Sequence, residues 1–403
     1  MLETLQRAPL LDRESDRAAL TAVGDSFETT SDLEKLTVTR LDRWSARNVS
    51  QMARTPAPSG PLIDYAPGET ALPSPSREWH TIDNALVRDG GTVVTGQRLI
   101  VYEGAADPAI NQFSAFGQRL YGSPINQSVA LLTSLPVADR MIDEAILISG
   151  RHDSNWYHWM AEYLPRALDV PLEIDSTVPL LASDRIPAEG LRALSAITKR
   201  PVLIARHDIG HRVRLLHASA PVLQVLDSTR VPWTQGLAIR ADAVRRAAET
   251  LVQAAEASEL APDRLLFIRR RSVHRGLVNE DRLARIASER GFELIEPGEM
   301  SWSEQVRAFR SARIVVGANG AVMANYLFMA PGTQAIGLTA EGLEGFILPA
   351  VIADAVGVRF SAIAGSHNTP LSRSPSKIEW IHSDFTVSEA TFTEGLRAAL
   401  ARR

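Results

Sequence analysis

Arg313-Ile-Val-Val-Gly-Ala-Asn-Gly-Ala-Val-Met-Ala-Asn325 decides how this chain is read. Its opening, Arg313 to Val316, is a short apolar run of the kind that forms a buried strand. Gly317-Ala-Asn-Gly320 predicts a tight turn, and a helix is expected to follow as far as Pro331-Gly332. A strand that turns through glycines into a helix leaves unpaired N–H groups aimed at one point, which suits a phosphate. An earlier strand ends in Arg269-Arg-Arg271, so the same region supplies guanidinium groups. A diphosphate pocket, and so a nucleotide-linked substrate, is the expectation. The plainer alternative is that Gly317 and Gly320 only permit a strand–helix turn.

Working outward, strands and helices alternate twice. In the first half Ala145–Ile148, Val178–Ala182, Val202–Ala205 and Val213–His217 read as strands. Asn155–Val170 and Pro187–Thr198 read as helices. A helix over Leu237–Ser258, with Val244, Ala247, Ala248, Leu251, Ala254 and Ala255 on one face, is expected to link the halves. The second half repeats the pattern: strand Arg264–Ile268, a helix capped by Asn279, strand Phe292–Ile295, and a helix opened by the capping box Ser301-x-x-Glu304. The featured strand and then Gln334–Leu338 follow. Such alternation predicts parallel sheets, and two runs of it predict an α/β chain with two Rossmann-like domains facing a cleft. Residues 1–54 read as a polar, partly helical segment, 55–78 as a Pro-rich linker, and 79–235 as the first domain with a β-rich start. Residues 236–345 read as the nucleotide-binding domain, and 346–403 as a tail packing back across both.

Composition sets bounds. The length of 403 residues exceeds one ordinary core, and 45% hydrophobic with 22% charged residues is a globular balance. A net charge of −4 gives a nucleic-acid partner no support, and zero cysteines remove disulfides, thiolate metal sites and thiol nucleophiles. The first residues do not read as a secretory signal, and no apolar run reaches the ~18 residues of a membrane span, so a cytoplasmic protein is expected. The chain has no Asp-x-Asp, Walker loop or Gly-x-Ser-x-Gly elbow. The oligomeric state is not legible.

The second dense segment is His152-Asp-Ser-Asn-Trp-Tyr-His-Trp-Met-Ala-Glu-Tyr-Leu-Pro-Arg166. It follows a strand, at the end where open α/β sheets bind ligands. His158 and Glu162 are four apart on the expected helix and share a face, so the carboxylate can orient the imidazole as a general base. Asp153 is the reserve base. Trp156, Tyr157 and Trp159 are fit to pack on sugar rings or equally in a core. His207, Asp208, His211 and His217 cluster in sequence, but the strands put them on differing faces, and no metal site is expected.

These segments resemble glycosyltransferase family 61. The residues that carry the likeness are Asn155-Trp-Tyr-His-Trp-Met-Ala-Glu-Tyr-Leu-Pro-Arg166, Ile268-Arg-Arg-Arg271, Asn279-Glu280, Gly291-Phe292, Gln305 and Phe309. Val316-Gly-Ala-Asn-Gly-Ala321, Asn325, Phe328 and Pro331-Gly332 complete it. The resemblance implies a GT-B fold, an inverting mechanism and a nucleotide-sugar donor, expected to be UDP-linked, held by the second domain. A glycan acceptor, as in bacterial polysaccharide biosynthesis, would lie across the cleft. It implies donor contacts from Arg269, Arg270, Arg271, His274, Gly317, Asn319, Gly320, Ala321 and Asn325, with Asn155, Trp156 and Arg166 near the substrate. Two departures stand out: Asn319 occupies the place of the family's usual His, and Gly337-Leu338 the place of a frequent acidic residue. Without Asp-x-Asp, charge on the departing diphosphate falls to the helix N-terminus and to arginines, with His274 or Arg275 as further donors, so no metal or other cofactor is expected. Competing expectations are a non-catalytic sugar-nucleotide-binding relative and a sugar-nucleotide epimerase.

Overall fold

The computed structural model describes residues 33–40, 53–68, 75, 77–95, 99–102, 105–106, 113–114, 120–121, 123–124, 129–133, 136–227, 234–270, 275–368 and 382–402. The strands of its two large sheets are, in chain order, β1 (Leu33–Arg40), β2 (Ala53–Ser59), β3 (Leu62–Gly68), β4 (Trp79–Arg88), β5 (Thr92–Val94), β6 (Leu99–Tyr102), β7 (Leu120–Tyr121), β8 (Val129–Thr133) and β9 (Ile142–Leu147). They continue as β10 (Leu180–Ser183), β11 (Val202–Ala205), β12 (His211–Ser219), β13 (Arg264–Ile268), β14 (Glu293–Ile295), β15 (Ala312–Ala318), β16 (Gln334–Ala340), β17 (Arg359–His367) and β18 (Phe385–Thr386). The α-helices are α1 (Trp156–His158), α2 (Ala188–Ile197), α3 (Ala241–Ala254), α4 (Glu280–Ser288), α5 (Trp302–Arg310), α6 (Leu348–Ala355) and α7 (Glu389–Ala401).

The first sheet has ten strands in the order β11-β10-β9-β12-β4-β5-β6-β1-β8-β7. Its α/β part is parallel: β9 pairs in parallel with β10 and β12, and β10 with β11. The chain steps outward from β9 to β10 and β11, then returns to lay β12 on the other side of β9. The second sheet runs β14-β13-β15-β16-β17-β3-β2, with β18 pairing β17. Its five strands β13 to β17 are parallel, and the strand order reverses between β13 and β15. In open α/β sheets such a reversal opens a crevice at the carboxyl ends of the strands. The expected α/β class holds, because these strands are near-continuous apolar runs that helices must cover. Every residue of β16 is buried, as is every residue of β15 except Arg313.

Several elements differ from the sequence reading. The Pro-rich stretch is not irregular: β2 and β3 form an antiparallel hairpin on the edge of the second sheet, with Pro56 opposite Tyr65 and Pro58 opposite Ile63. An edge strand tolerates proline because its outward amides need no partner. Leu33–Arg40, expected in a partly helical segment, is a strand between β6 and β8. Leu237–Ile239, expected to begin the long helix, is a short strand, and α3 starts at Ala241. Val244, Ala247, Ala248, Leu251 and Ala255 are buried as expected, whereas Ala254 is exposed. Asn279 does not cap α4; its side chain instead donates to Val387 O at 2.7 Å and accepts from Val387 N at 3.3 Å. Residues 346–403 contribute β17 to the sheet itself, while α7 packs Phe392 and Leu396 into the core with Phe267 and Ile363.

One buried cluster runs from Ile146 and Trp159 in the first half, through Val244 and Leu251 of α3, to Leu266, Val315 and Phe360 in the second. The α/β parts of both halves therefore share a core. Among the described residues no helix is long and apolar enough to cross a membrane. The apolar stretch Phe346–Val358 is α6 and its flanks, buried inside the fold.

Candidate functional site

The corner between β13 and β15 is built by close packing. Gly317 lies within β15, not in a turn, and a Cβ there would sit 2.8 Å from Ile268 Cβ. The strand runs on to Ala318, and neither Gly317 nor Gly320 has a positive φ. Gly320 is extended, with φ −179°, and serves a different purpose: a Cβ on it would lie 2.6 Å from Arg270 Cζ. The missing side chain lets the Arg270 guanidinium lie across the corner, where Nη1 donates to Asn319 O at 2.8 Å. The backbone N of Arg270 donates to Glu280 Oε1 at 3.0 Å. Burial, then the nearby charge of Arg275, pushes the Arg270 guanidinium down to about 10. Arg269 pairs with Asp281 and donates its N–H to Ile295 O at 2.8 Å.

The helix after Gly320 is a 3₁₀ helix, Ala321–Phe328. Its first intrahelical bond runs from Met323 N to Gly320 O at 3.0 Å, so the amides of Ala321 and Val322 precede the ladder. Both residues line a cavity of about 580 Å³ whose walls include Arg269 and Arg270 from the second half and Trp156 and Glu189 from the first. Asn319 behaves otherwise than expected. Its carbonyl accepts from Arg270, while its side chain turns onto β16: a Cβ on Gly337 would meet Asn319 Oδ1 at 2.2 Å, and that oxygen is buried without a partner. The two departures from the family pattern thus touch each other.

The first-half residues follow β9. The Asn155 side chain accepts from Tyr157 N at 2.9 Å and caps α1. The single helix expected from 155 to 170 is instead three pieces: α1, a π turn over Trp159–Tyr163 closed by Leu164 N to Trp159 O, and a 3₁₀ segment Leu164–Leu168. Pro165 has no N–H to extend an α ladder, which accounts for the break. His158 Nδ1 still meets Glu162 Oε2 at 2.9 Å. Beneath them Arg166 is 1% exposed, with Nη2 3.8 Å from Glu162 Oε1, Nε donating to Glu162 O at 3.3 Å, and Cζ 4.7 Å over the Tyr163 ring. Burial works to raise the Glu162 carboxyl. The His158 hydrogen bond and charge, with Arg166 and His152, outweigh it, so the carboxyl titrates lower than usual. With Nδ1 engaged, proton transfer at His158 falls to Nε2, on a side chain 23% exposed. The His152 ring lies against it at 4.7 Å between centroids.

The two halves meet through hydrogen bonds. Trp156 Nε1 donates to Asn325 Oδ1 at 2.9 Å, Asn325 Nδ2 donates to Gln305 Oε1 at 2.8 Å, and Gln305 Nε2 donates to Met300 O at 3.1 Å. Glu189 on α2 accepts from Trp302 N at 2.8 Å, serving the first turn of α5 alongside the Ser301–Glu304 capping box. Asn325 is fully buried, so it positions Trp156 and the 3₁₀ helix and makes no open wall. Glu189 escaped the sequence reading because a glutamate in a helix's first turn carries no signal of a partner 113 residues away.

Other expected residues stand apart. Asp153 is fully buried, with Oδ1 3.1 Å from Arg185 Nη2 and Oδ2 unpartnered; burial raises its carboxyl to about 7 against the pull of Arg185. Arg185 also reaches Asp89 at 3.5 Å, so Asp153 belongs to a closed ionic group. His158, Glu162 and Asp153 are not among the residues lining the 580 Å³ cavity. His207 pairs with Asp184 at 3.0 Å, His211 accepts from Arg206 N at 3.0 Å, and His217 bridges Glu144 at 2.8 Å and Thr81 at 3.2 Å. Among the described residues no three His, Cys, Asp or Glu side chains converge on a metal position. Arg271 and His274 lie outside the described residues.

Residues 156–336 match the family model Glycosyltransferase 61. No curated protein matches the chain. The matched stretch begins at Trp156 on one cavity wall and takes in Arg269, Arg270 and the Gly320 corner on the other, so it is over the residues that build the cavity, 156–336, that the chain is similar to glycosyltransferase family 61.

Proposed function

We propose that the protein is a metal-independent, inverting glycosyltransferase of GT-B type, which moves a sugar from a nucleotide-sugar donor to a hydroxyl of a glycan or polysaccharide acceptor in the cytoplasm. The observation that carries this reading is the Arg270 guanidinium lying over the Gly320 corner, at the strand-order reversal between β13 and β15 and beside the 580 Å³ cavity. In transfer the bond from the anomeric carbon to the diphosphate oxygen breaks, and negative charge grows on the departing group. Arg269, Arg270 and the amides of Ala321 and Val322 are fixed donors at that place. Each such donor is worth about 3–4 kcal/mol in a transition state. The acceptor hydroxyl attacks the opposite face of the sugar and loses its proton to His158 Nε2, with Glu162 holding the ring. Trp156, two residues before His158, supplies an aromatic wall for the sugar.

A thermal-shift screen of nucleotides and nucleotide sugars tests the donor site; at about 100 times the dissociation constant a true ligand adds ~2.7 kcal/mol of stability. Release of free nucleotide only when acceptor is present, unaffected by EDTA, is the expected outcome. Loss of turnover on chelation with recovery on adding manganese would overturn the metal-free account. The Asn319 side chain, packed against Gly337 and unpartnered, favours one second reading, a non-catalytic sugar-nucleotide binder. Donor binding without turnover across a broad acceptor panel would establish it.

A further inference from the structure

A second cavity, of about 440 Å³, opens at the other end of the second sheet. Of the residues that line it, Arg310 leads into β15, Pro331 into β16 and Gly357 into β17, which places it at the amino ends of parallel strands. The 580 Å³ cavity is walled by residues that follow strands, Arg269 after β13 and Ala321 after β15. The two share no lining residue: α5 and the 3₁₀ helix turn Gln305 and Ala321 to one and Arg310 and Leu327 to the other. The walls of the second cavity are bonded to each other. Arg245 Nε on α3 donates to Ala355 O, the end of α6, at 3.0 Å, and Arg307 Nε on α5 donates to Ala255 O at 2.7 Å. On the rim Gly332 N donates to Gly357 O at 2.8 Å. The hollow is therefore a fixed part of the fold, and its volume is that of a small-molecule site.

Arg310 is the group that these walls leave unused. It ends α5, where a cation ordinarily serves the last carbonyls of a helix. Ser311 already does so, donating from N to Arg307 O at 3.1 Å and from Oγ to Ala308 O at 3.0 Å. Among the described residues the Arg310 side chain makes no hydrogen bond or ion pair, and its Nε is buried without a partner. Glu249 lines the same cavity one turn along α3 from Arg245, yet among the described residues it forms no ion pair. Asp354 of α6 is a second carboxylate in the lining, and Val252, Leu327 and Met329 give it a buried apolar floor. A guanidinium fork recognises a carboxylate or phosphate, whereas carboxylates accept hydrogen bonds from hydroxyls. No aromatic ring is present for a flat base to stack on, and the carboxylates oppose a fatty chain. The combination suits a saturated ring that carries hydroxyls and one acidic group.

We infer that this cavity is a second ligand site, separate from the 580 Å³ cavity, for an anionic sugar, either a hexose phosphate or a uronic acid. The acidic group lies on Arg310, ring hydroxyls donate to Glu249 and Asp354, and the C–H face of the ring rests on Val252 and Leu327. The assignment holds whether or not the donor-site reading above is correct.

Calorimetric titration of the full chain tests it, with glucose 1-phosphate, glucose 6-phosphate, glucuronic acid, neutral glucose and inorganic phosphate as probes. The wild type is expected to bind at least one of the three anionic sugars saturably, and more tightly than glucose or inorganic phosphate; which of them binds tells a phosphate from a carboxylate ligand. Arg310→Gln should weaken that binding about tenfold to a hundredfold, the range for a hydrogen bond to a charged group. Arg310→Lys should recover part of the loss, as a point charge without the fork. Glu249→Ala, on an exposed helix position that tolerates alanine, should weaken the sugars and leave inorganic phosphate unchanged. UDP, as a probe of the other cavity, should behave alike in wild type and Arg310→Gln. Absence of binding by all three anionic sugars overturns the assignment, as does equal sugar affinity in wild type and Arg310→Gln. Inorganic phosphate binding as tightly as the sugars overturns the ligand class. Should Arg310→Gln melt well below the wild type, Glu249→Ala decides alone, and unchanged sugar affinity in it is the overturning result.

Discussion

His158 and Glu162 meet at 2.9 Å even though the helix expected to carry them breaks after one turn. The i, i+4 spacing survives a π turn because the widened backbone still stacks consecutive turns. Legibility at this scale depended on spacing along one element. Asp153 shows the limit: proximity in sequence put it beside the base, yet its partner Arg185 comes from 32 residues away and closes it off. Asn319 shows another, since its side chain follows the space left at Gly337 and turns from the cavity. The prediction that belongs here concerns the base. His158→Ala is expected to lower kcat by about 10²–10⁴-fold while nucleotide binding persists. Steady-state kinetics set beside donor titrations check it, and near-normal turnover would remove His158 from the mechanism.

Three parallel strands of the second sheet, β13, β15 and β16, were read nearly to the residue because they are mostly buried and therefore almost continuously apolar. The hairpin β2–β3 was missed for the converse reason: six prolines from residue 56 to residue 75 signal irregular chain, and nothing local says that an edge position awaits. The 3₁₀ form of Ala321–Phe328 was equally hidden, because helix type there is set by how Asn325 and Tyr326 pack inward. Gly317 offers the sharpest test among the elements. Because β13 and β15 approach so closely at Ile268, Gly317→Ala is expected to destabilise the fold by about 1–3 kcal/mol, as overpacking of a rigid core does. Urea unfolding would measure it, and an unchanged midpoint would show that the strands yield at little expense.

Across the whole molecule the two α/β units are joined by a shared core around α3 and by the chain of bonds Trp156–Asn325–Gln305. Asn325→Ala strips Trp156 Nε1 and Gln305 Oε1 of their partners at a fully or largely buried place. Each orphaned group costs about 1–3 kcal/mol, and the cavity wall at Trp156 should loosen with it. The expected result is a lower melting temperature together with a raised KM for donor; a raised KM alone would assign Asn325 to the ligand, and neither change would show that water replaces it.

Hydrophobic period, glycine placement and the arginine run by themselves determined the α/β class, most second-half strand positions, the capping box of α5 and the two segments that flank the cavity. These are local properties, written in side-chain sequence and short spacing. The order of strands within each sheet, the reversal that brings Arg270 onto the Gly320 corner, the opposition of Arg270 and Arg275, and the seating of Asn319 on Gly337 were decided only by tertiary structure. They depend on which strands pair and how closely, a balance of burial and sterics between residues far apart in the chain, which no local pattern encodes.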